Sequence, residues 1–515
     1  MAIDAQRRFS VAMGLALVVI LKTWPTLTPV FAQAACPGQW SAPFDTQNVM
    51  IHAHVLPNGK VLFWSRREAG EDLNPHHCTP RIWDPKLGTG PGAFSTTANT
   101  PGFNLFCGGH TFLADGRLFA VGGHILDGHG EPHATIYDPQ TNQWTSIQDT
   151  SGGQWYPTAV TLPDGGVLVS FGTDENGHPN ETQQVWKDGT WRDIVHFTAP
   201  PYYPRMHVVP DGRVFMSGPL ALTQYLDTSG GGQWTFLHPD PNIQTAVAQS
   251  SRINQFRDYA PAVLYDVGKI LYIGGGIAPT AACEVLDLNA PTPRWTPTDS
   301  MHFPRRQHNA TLLPDGTVLV TGGTKGSGGE SNGFNDLTPG QPIHTAELWN
   351  PKTGHWTVLA EEKEDRCYHS TAVLLPDATV LSAGGGEYSP KNDGNPNDPK
   401  DTHKNAQIFT PPYLCGGGTR PDITSAPDEV TYGQTFSVGT SHPDQVGQVN
   451  WVRLSSVTHA FNANQRINFL NFTATGSSLA VTAPANANLC PPGHYLLFVL
   501  NKDQVPSVAK ILRIH

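Results

Sequence analysis

Three features of the 515-residue sequence predict an all-β fold. Dipeptides of the type Asp-Gly recur between alternating apolar residues, and they favour tight β-hairpins because glycine adopts positive φ at little cost. The short apolar stretches that follow these turns end in two or three glycines, as at 122–123 and 274–276. The chain also contains 52 Gly and 45 Pro, and beyond the N-terminus no stretch sustains a helical spacing of apolar residues.

Seven copies of the turn, in phase with a longer repeat, predict how these hairpins are arranged. In most copies a second pair of predicted strands follows and ends in an aromatic residue, such as Trp144, Trp191 or Trp356. Four strands in roughly 50 residues are typical of a propeller blade of the kelch type. We therefore expect a seven-bladed kelch-like β-propeller over residues 35–413. The turns are Asn58-Gly59, Asp115-Gly116, Asp164-Gly165, Asp211-Gly212, Asp266-Val267, Asp315-Gly316 and Asp377-Ala378.

Residues 414–515 follow the last blade and show a different pattern. Short stretches of alternating apolar residues, at 434–438, 450–454 and 495–500, are separated by clusters of Pro and Gly. About 100 residues of this kind are typical of a small β-sandwich. We expect an immunoglobulin-like β-sandwich as a second domain.

The first 34 residues have the features of a secretory signal peptide. Arg7 and Arg8 precede the apolar run 11–21, and 32–34 (Ala-Gln-Ala) fits a small-residue cleavage site. Because the run is too short to span a bilayer, we expect a cleaved signal and a secreted or periplasmic monomer without a membrane span. The formal net charge of −11 argues against nucleic acid or an anionic membrane as a partner.

Seven cysteines in an exported chain leave one unpaired even if six form disulfides. Cys415 and Cys490 lie in the same predicted domain, and we expect them to be bonded. Cys36 and Cys78 are the next candidate pair because they are close in sequence. Cys107 stands apart, because it occupies a special position of the repeat.

That position lies eight residues before each turn, and we call it the ring register. If the propeller closes, these side chains meet near its axis at one mouth of the channel. The polar loops 173–181, 324–343 and 387–404 return to this mouth and are expected to frame a pocket. The ring register consists of Met50, Cys107, Tyr156, Tyr203, Asp258, Gln307 and His369.

Part of the ring register has the chemistry of a redox or metal site. Cys107 and Tyr156 stand in neighbouring blades, opposite His369 and the adjacent Tyr368. Imidazole nitrogen and phenolate oxygen in a tetragonal set favour Cu(II), and a second histidine would complete two nitrogens and two oxygens. His459 lies in a polar, hairpin-like segment, 455–466, and is a candidate that the spacing permits.

The alternative interpretation of any one of these residues is channel lining without a chemical role. Propeller channels are commonly lined by polar side chains that only hold water. We keep this interpretation for the remaining members of the register, of which Tyr203 and Gln307 are the better candidates for substrate contact. The residues treated as lining are Met50, Tyr203, Asp258 and Gln307.

Five separated motifs resemble those of the copper radical oxidases, the family that includes galactose oxidase and glyoxal oxidase. They are 106–108 (Phe-Cys-Gly), 154–157 (Gln-Trp-Tyr-Pro), 366–370 (Arg-Cys-Tyr-His-Ser), 457–466 and 491–507. Their order matches, and the resemblance covers essentially the whole chain after the signal. It implies a galactose-oxidase-like C-terminal β-sandwich that sends a histidine-bearing hairpin up the channel of the propeller.

The resemblance also implies a role for each matching residue. Cys107 and Tyr156 would be joined by a thioether bond, and Tyr156 would be a copper ligand and the site of a radical. Tyr368 would be the axial ligand and the base that accepts the substrate proton. His369 and His459 would be the two imidazole ligands of a single copper ion. Sulfur on the ring lowers the potential at which tyrosine loses an electron, so copper and radical together remove two electrons from one substrate.

The sequence departs from galactose oxidase in two respects. Its first turn comes at Asn58, so we expect no carbohydrate-binding sandwich before the propeller. The loop at 172–178, where galactose oxidase has a tryptophan over the cross-link, contains none. These departures weaken the case for galactose as substrate, and the compact form with Trp-Tyr-Pro is more similar to glyoxal oxidases.

We therefore expect an exported copper radical oxidase that uses O2 to oxidise a small aldehyde or primary alcohol and releases H2O2. The alternative is a non-catalytic propeller that binds carbohydrate or protein, which would not need Cys107, Tyr156, Tyr368, His369 and His459 together. A glycan-cleaving enzyme is disfavoured, because that chemistry uses paired carboxylates and Asp258 is the single acid of the ring register.

Overall fold

A computed structural model describes residues 36–68, 78–326, 335–387 and 402–515. Their regular secondary structure is mostly β-strand. The helices within these ranges are short: Ile243–Ser250 and Pro412–Cys415 are α-helical, and Pro85–Leu87, Pro91–Ala93 and Pro443–Gln445 are 3-10 helices. None of the helices described is long and apolar enough to cross a membrane. The predicted signal peptide lies outside the described residues.

Seven antiparallel sheets of the described residues follow the seven predicted repeats. In most of them, the first strand of the repeat is buried along its length, as in Gly109–Phe112, and the last is more exposed, as in Gln143–Ile147. First strands of most successive sheets contact one another and therefore lie innermost. The predicted all-β class, with a propeller and a β-sandwich, is confirmed.

The strands of these sheets have the following bounds. The first three sheets contain His52–Val55, Val61–Trp64, Arg81–Trp83 and Phe94–Thr96; Gly109–Phe112, Leu118–Val121, Ala134–Asp138 and Gln143–Ile147; and Thr158–Thr161, Val167–Ser170, Thr182–Lys187 and Thr190–His196. The next three contain Arg205–Val208, Val214–Gly218, Gln224–Asp227 and Gln233–Phe236; Ala262–Asp266, Lys269–Ile273, Cys283–Asp287 and Thr296–Thr298; and Asn309–Leu312, Val318–Thr321, Thr345–Trp349 and Trp356–Glu361. The seventh contains Ser370–Leu374, Val380–Gly384 and Asn405–Thr410.

The hairpin turns have the backbone geometry for which their Asp-Gly sequence is suited. In the second sheet, Gly116 has φ of 91°, a conformation that residues with a Cβ rarely adopt. Asp115 precedes it, and its Oδ1 accepts a hydrogen bond from the amide of Arg117 at 3.1 Å. This bond holds the loop closed and fixes the register of the strands on either side.

The N-terminal chain completes the seventh sheet. Gln39–Trp40 and Phe44–Asp45 both pair with Asn405–Thr410. This pairing brings Cys36 to Cys415, and the two form a disulfide. The expected Cys415–Cys490 and Cys36–Cys78 bonds are therefore wrong, and both Cys490 and Cys78 are free thiols. Strand pairing between distant parts of the chain, rather than proximity in sequence, determines the partner.

Two sheets form the C-terminal sandwich, around a core that includes Trp451, Tyr495 and Leu497. One sheet contains Glu429–Val430, Lys510–Ile514, Gly493–Asn501, Val446–Arg453 and Ile467–Phe469, and the other contains Thr435–Gly439, Ser478–Thr482 and Asn471–Thr475.

A hairpin leaves this sandwich and joins the first sheet of the propeller. Its strands are Ser456–Thr458 and Phe461–Asn462, and the first of them pairs with His52–Val55. Beyond the hairpin, Gln465 Oε1 accepts a hydrogen bond from the amide of Leu312 at 3.0 Å. The polar segment that the sequence analysis singled out is therefore fastened among the innermost strands, and His459 lies at the tip of its hairpin.

Candidate metal centre

Five of the seven ring-register residues have a left-handed backbone conformation. Their φ angles are 62° for Cys107, 66° for Tyr156, 42° for Tyr203, 61° for Gln307 and 66° for His369. The amide of Tyr156 donates to the carbonyl of Cys107 at 2.9 Å, and that of Tyr203 to Tyr156 at 2.8 Å. Left-handed residues other than glycine are uncommon and cluster at functional sites. The spacing in the sequence thus corresponds to one repeated backbone geometry.

The fifth repeat departs from the predicted register by one residue. Its two-residue turn is 267–268, one position later than the Asp-Val dipeptide from which the register was counted. The residue with the left-handed conformation is consequently Tyr259, with φ of 47°. Its carbonyl accepts a hydrogen bond from the amide of Gln307 at 3.1 Å. Asp258, which the sequence spacing selects, instead forms an ion pair with Arg306 at 2.6 Å.

The residues predicted to carry the chemistry meet at one point. The hydroxyls of Tyr156 and Tyr368 are hydrogen-bonded to each other. The ring centroid of His459 lies 4.7 Å from that of Tyr156 and 4.8 Å from that of His369. Cys107 is a buried thiol in contact with Tyr156. The second, third and seventh repeats and the C-terminal hairpin therefore each contribute to a single cluster.

Both imidazoles of this cluster are oriented by hydrogen bonds at Nδ1. His369 Nδ1 donates to the carbonyl of Gly386 at 2.6 Å. Thr458 donates its hydroxyl proton to the carbonyl of Ile51, so its oxygen accepts a hydrogen bond from His459 Nδ1 at 2.6 Å. The proton on each ring is thereby assigned to Nδ1. Both Nε2 atoms are buried without a hydrogen-bond partner.

Such an arrangement is that of metal-ligating histidines, whose second nitrogen is fixed by a backbone carbonyl or a polar side chain. In the ranges that the structure describes, no three His, Cys, Asp or Glu side chains form a group suited to a metal. A metal bound at the two Nε2 atoms would therefore need further ligands, and the phenol oxygens of Tyr156 and Tyr368 would supply them. Two nitrogens and two oxygens fit Cu(II).

The electrostatics of the cluster also suit a cation. Burial, and then His369 beside it, lower the pKa of His459 well below its usual value, and burial lowers the pKa of His369 to about 3. Burial raises the pKa of Tyr156 and of Tyr368 well above the usual range for a phenol. Neutral imidazoles are ready to donate their lone pairs. A bound cation would reverse the penalty on the phenolates, because it supplies the missing positive charge.

Trp155 supplies a ring on the face of Tyr156. Their centroids are 3.7 Å apart and their planes differ by 7°. Tyr202 meets both rings edge-on, at 5.2 Å from Trp155 and 5.6 Å from Tyr156. The resemblance to galactose oxidase places such a tryptophan in the loop at 172–178, which contains none. The residue directly before Tyr156 provides it instead, and the Trp-Tyr dipeptide was the signal that could have revealed it.

Tyr259 is the second residue that sequence reasoning missed. It is buried, its hydroxyl interacts with those of Tyr368 and Tyr156, and its ring meets the ring of Tyr368 edge-on at 5.5 Å. Three phenols therefore meet beside the two imidazoles. The signal that could have found it is Gly268, because counting from a turn that ends in glycine, as in most other repeats, gives Tyr259 rather than Asp258.

A histidine network lies next to Cys107. The amide of Cys107 donates to His52 Nε2 at 3.2 Å, and His52 Nδ1 is 3.1 Å from His110 Nε2. Ser456 Oγ continues the network, at 2.6 Å from His110 Nδ1 and 3.0 Å from His54 Nδ1. Burial is the main cause that lowers the pKa of His110 to about 3. The network thus holds Cys107 in place with neutral side chains.

A cavity of about 430 Å³ opens onto the cluster. Of the two candidates for substrate contact, Tyr203 lines this cavity, whereas Gln307 is buried and is not part of the lining. The loop 173–181, which was expected to frame the pocket, lines a separate depression, and the other two expected loops lie partly outside the described residues. The lining residues are Tyr156, Ala199, Pro200, Pro201, Tyr202, Tyr203, Arg205, Pro219, Leu220, Phe256, Asp258, Tyr259, Ile277, Arg306 and His459.

Comparisons with known proteins cover both domains. Residues 275–413 match the family model "Glyoxal oxidase N-terminus", and residues 420–514 match "Galactose oxidase-like, Early set domain". A galactose oxidase from Gibberella zeae is 27% identical, over 93% of this chain and 70% of its own length. An aldehyde oxidase GLOX from Vitis pseudoreticulata is 26% identical, over 93% of this chain and 98% of its own.

One solved structure has the same fold along the chain. It is a fungal alcohol oxidase of the AA5 family in complex with copper, with a TM-score of 0.78 and 24% identity, covering 93% of this chain and 99% of its own. The resemblance predicted from the five sequence motifs is confirmed. The chain is thus similar, over both domains, to oxidases of the group that comprises galactose oxidase and glyoxal oxidase, the copper radical oxidases.

Proposed function

We propose that the protein oxidises a small primary alcohol or aldehyde with O2 and releases H2O2 at a single copper ion. The observation that carries the proposal is the pair of buried imidazoles, His369 and His459, whose Nε2 atoms have no hydrogen-bond partner beside the hydrogen-bonded hydroxyls of Tyr156 and Tyr368. These four residues would hold the metal. Copper, when bound, would accept one electron, and the tyrosine beside it would accept the other.

Cys107 would form a thioether bond to the ring of Tyr156. Its burial against Tyr156, with its amide fastened by His52, supports this assignment. The bond forms between sulfur and a ring carbon, and the S–H and ring C–H bonds break. Two protons and two electrons leave and reduce O2 to H2O2. Burial raises the pKa of the Cys107 thiol well above its usual value, so Cys107 would enter this step as the protonated thiol rather than as free thiolate.

In turnover, Tyr368 would accept the proton of the substrate hydroxyl and Tyr156 would take the hydrogen atom from the adjacent carbon. The alcohol thereby loses two electrons and two protons and becomes the aldehyde. O2 takes up these two electrons and two protons and leaves as H2O2. An aldehyde would react as its hydrate and give the carboxylic acid. Burial of both phenols keeps bulk water from quenching the oxidised ring.

We also propose that the protein is exported. Relatives that cover 93% of this chain are named galactose oxidase and aldehyde oxidase, and a peroxide-releasing enzyme is suited to a location outside the cell. The Cys36–Cys415 disulfide supports this assignment, since structural disulfides persist in oxidising compartments.

The test is the mass of the peptides that carry Cys107 and Tyr156, after the metal-free protein has been incubated with Cu(II) in air. We expect one cross-linked species that is two hydrogens lighter than the sum of the two peptides, together with peroxide release on substrate. Cys107→Ser removes the cross-link, and Cys283→Ser, which removes a buried thiol elsewhere, retains it. Separate peptides in the unmodified protein, with no peroxide from any substrate, would favour the non-catalytic binding propeller.

A further inference from the structure

We propose that the preferred substrate is an aromatic primary alcohol of the benzyl type, or the corresponding aryl aldehyde, and that the cavity wall selects it. The inference rests on the proposed function, because it names what the same site would oxidise. It depends on the walls of the cavity rather than on the cluster at its floor.

The walls are apolar and partly open to solvent. Tyr202, Phe256 and Ile277 all line the cavity, with 48%, 47% and 54% of their surface exposed. Large apolar side chains are normally exposed singly, so three around one opening indicate a binding surface. Pro201 and Leu220 continue the apolar wall toward the interior.

The charged groups of the lining are already engaged within the protein. Arg306 and Asp258 form an ion pair at 2.6 Å. Arg205 donates to the carbonyl of Tyr203 at 2.5 Å and to that of Ala260 at 2.8 Å. Asp258 Oδ1 is left without a hydrogen-bond partner and can accept one further bond. The wall therefore offers few hydrogen bonds to a substrate, which suits a substrate with few hydroxyls.

This combination discriminates against a sugar. A hexose carries hydroxyls around its whole ring, and each one that loses water against Pro, Leu, Ile or Phe without a partner costs free energy. An aromatic ring gains from the same contacts, through burial and through edge or offset contacts with Tyr202 and Phe256. Its CH2OH group would lie at the floor, where Tyr156 and His459 line the cavity.

The reaction balances as for any primary alcohol. The benzylic carbon loses one hydrogen and the hydroxyl loses its proton, and two electrons accompany them. O2 accepts both protons and both electrons and becomes H2O2. The aldehyde formed retains the aromatic ring, so alcohol and aldehyde would both fit the same wall.

The first test compares peroxide release by the copper-loaded enzyme on benzyl alcohol, galactose and glyoxal. We expect kcat/KM for benzyl alcohol to exceed that for galactose at least tenfold. Phe256→Ala should lower kcat/KM for benzyl alcohol about threefold to tenfold, mainly through KM, and so narrow the advantage of benzyl alcohol over galactose. Phe469→Ala, which removes an exposed phenylalanine from the C-terminal sandwich, is the matched control and should change neither value.

The second test uses the copper-free protein and needs no turnover. Saturation-transfer NMR should detect benzyl alcohol bound to the unmodified protein, with a signal that Phe256→Ala weakens and that excess galactose does not displace. Faster turnover of galactose than of benzyl alcohol would overturn the inference and leave the proposed function standing. Absence of peroxide from all substrates would overturn the proposed function, and the NMR result would still decide whether the wall binds aryl alcohols.

Discussion

The ring of Trp155 lies flat on the ring of Tyr156, with 3.7 Å between their centroids and 7° between their planes. The two residues are adjacent in the chain, and the left-handed backbone of Tyr156, at φ of 66°, accompanies this stacking. A sequence neighbour thus covers the ring that would carry the radical, whereas the resemblance to galactose oxidase implied a cover from a separate loop.

Replacement of Trp155 by leucine should shorten the lifetime of an oxidised Tyr156. The substitution removes the stacked ring and admits water to the phenol, while the metal ligands keep their positions. Because an aromatic pair is worth about 1 kcal/mol, we expect the radical EPR signal to decay at least about fivefold faster, with copper bound in the same stoichiometry. Trp191→Leu, in the outer strand of the same sheet, serves as the control. An unchanged decay rate in Trp155→Leu would refute the covering role.

Tyr259→Phe should impair turnover and leave the cross-link intact. The substitution removes the hydroxyl that interacts with Tyr368 and Tyr156 but keeps the ring that packs on Tyr368. A hydrogen bond to a charged acceptor contributes about 1.5–3 kcal/mol, so kcat/KM should fall about tenfold or more. The visible absorption of the copper-loaded enzyme should shift as well, because Tyr368 would lose a donor.

The control for this variant is Tyr413→Phe, which removes a hydroxyl that donates to the carbonyl of Ala378 at 2.7 Å, remote from the cluster. We expect it to lower the free energy of unfolding by about 1 kcal/mol and to leave the absorption spectrum unchanged. Equal kinetics and spectra in Tyr259→Phe and the unmodified enzyme would exclude a role for the Tyr259 hydroxyl.

Loss of the Cys36–Cys415 disulfide should destabilise the whole propeller. It joins two cysteines that are 379 positions apart in sequence and lies next to the strands that close the seventh sheet. Removal of a native disulfide typically costs about 2–5 kcal/mol, so Cys36→Ser should unfold at a clearly lower temperature in calorimetry. Cys78→Ser, which changes a free thiol, should not. Peptide mapping without reductant that found Cys415 bonded to Cys490 would contradict the structure directly.

Acid should destabilise the fold through its buried histidines. Burial, with Arg466 and Arg205 nearby, lowers the pKa of His207 to about 3. Since the unfolded value is about 6.5, the unfolded chain binds a proton between these pH values that the folded one does not. The contribution of His207 to the free energy of unfolding is therefore complete above about pH 6.5. It is lost as the pH drops toward 3, by up to about 1.4 kcal/mol per pH unit.

His207→Gln should make that dependence shallower. The measurement is the free energy of unfolding in urea at several pH values between 4 and 7, for the variant and for the exposed-site control His196→Gln. We expect the slope to decrease for His207→Gln alone. The same slope in both variants would show that other groups cause the acid sensitivity.

Much of the site could be predicted from the sequence because the repeat is local. A turn of Asp and Gly and an apolar strand on each side define the hairpin, and the ring register follows by counting. Cys107, Tyr156 and His369 were found in this way, with Tyr368 one residue out of step. The same counting misplaced one member, since the fifth turn closes at 267–268 and brings Tyr259, not Asp258, to the axis.

Other features depend on contacts that no local pattern encodes. Cys36 meets Cys415 because the two ends of the propeller share a sheet. His459 reaches the channel because its hairpin pairs with the strand that contains His52. The spacing permitted that placement, and the resemblance to known oxidases suggested it. The apolar wall that includes Tyr202 and Phe256 is formed by loops without a repeating pattern.

The sequence by itself thus determined the all-β class, the repeat and the members of the ring register, because turns and strand alternation act over a few neighbouring residues. The tertiary structure decided which residues touch at the centre: the stack of Trp155 on Tyr156, the three phenols with the two imidazoles, the disulfide and the shape of the cavity. These depend on closing the sheets into a ring, which brings together side chains hundreds of residues apart at angles that backbone geometry sets.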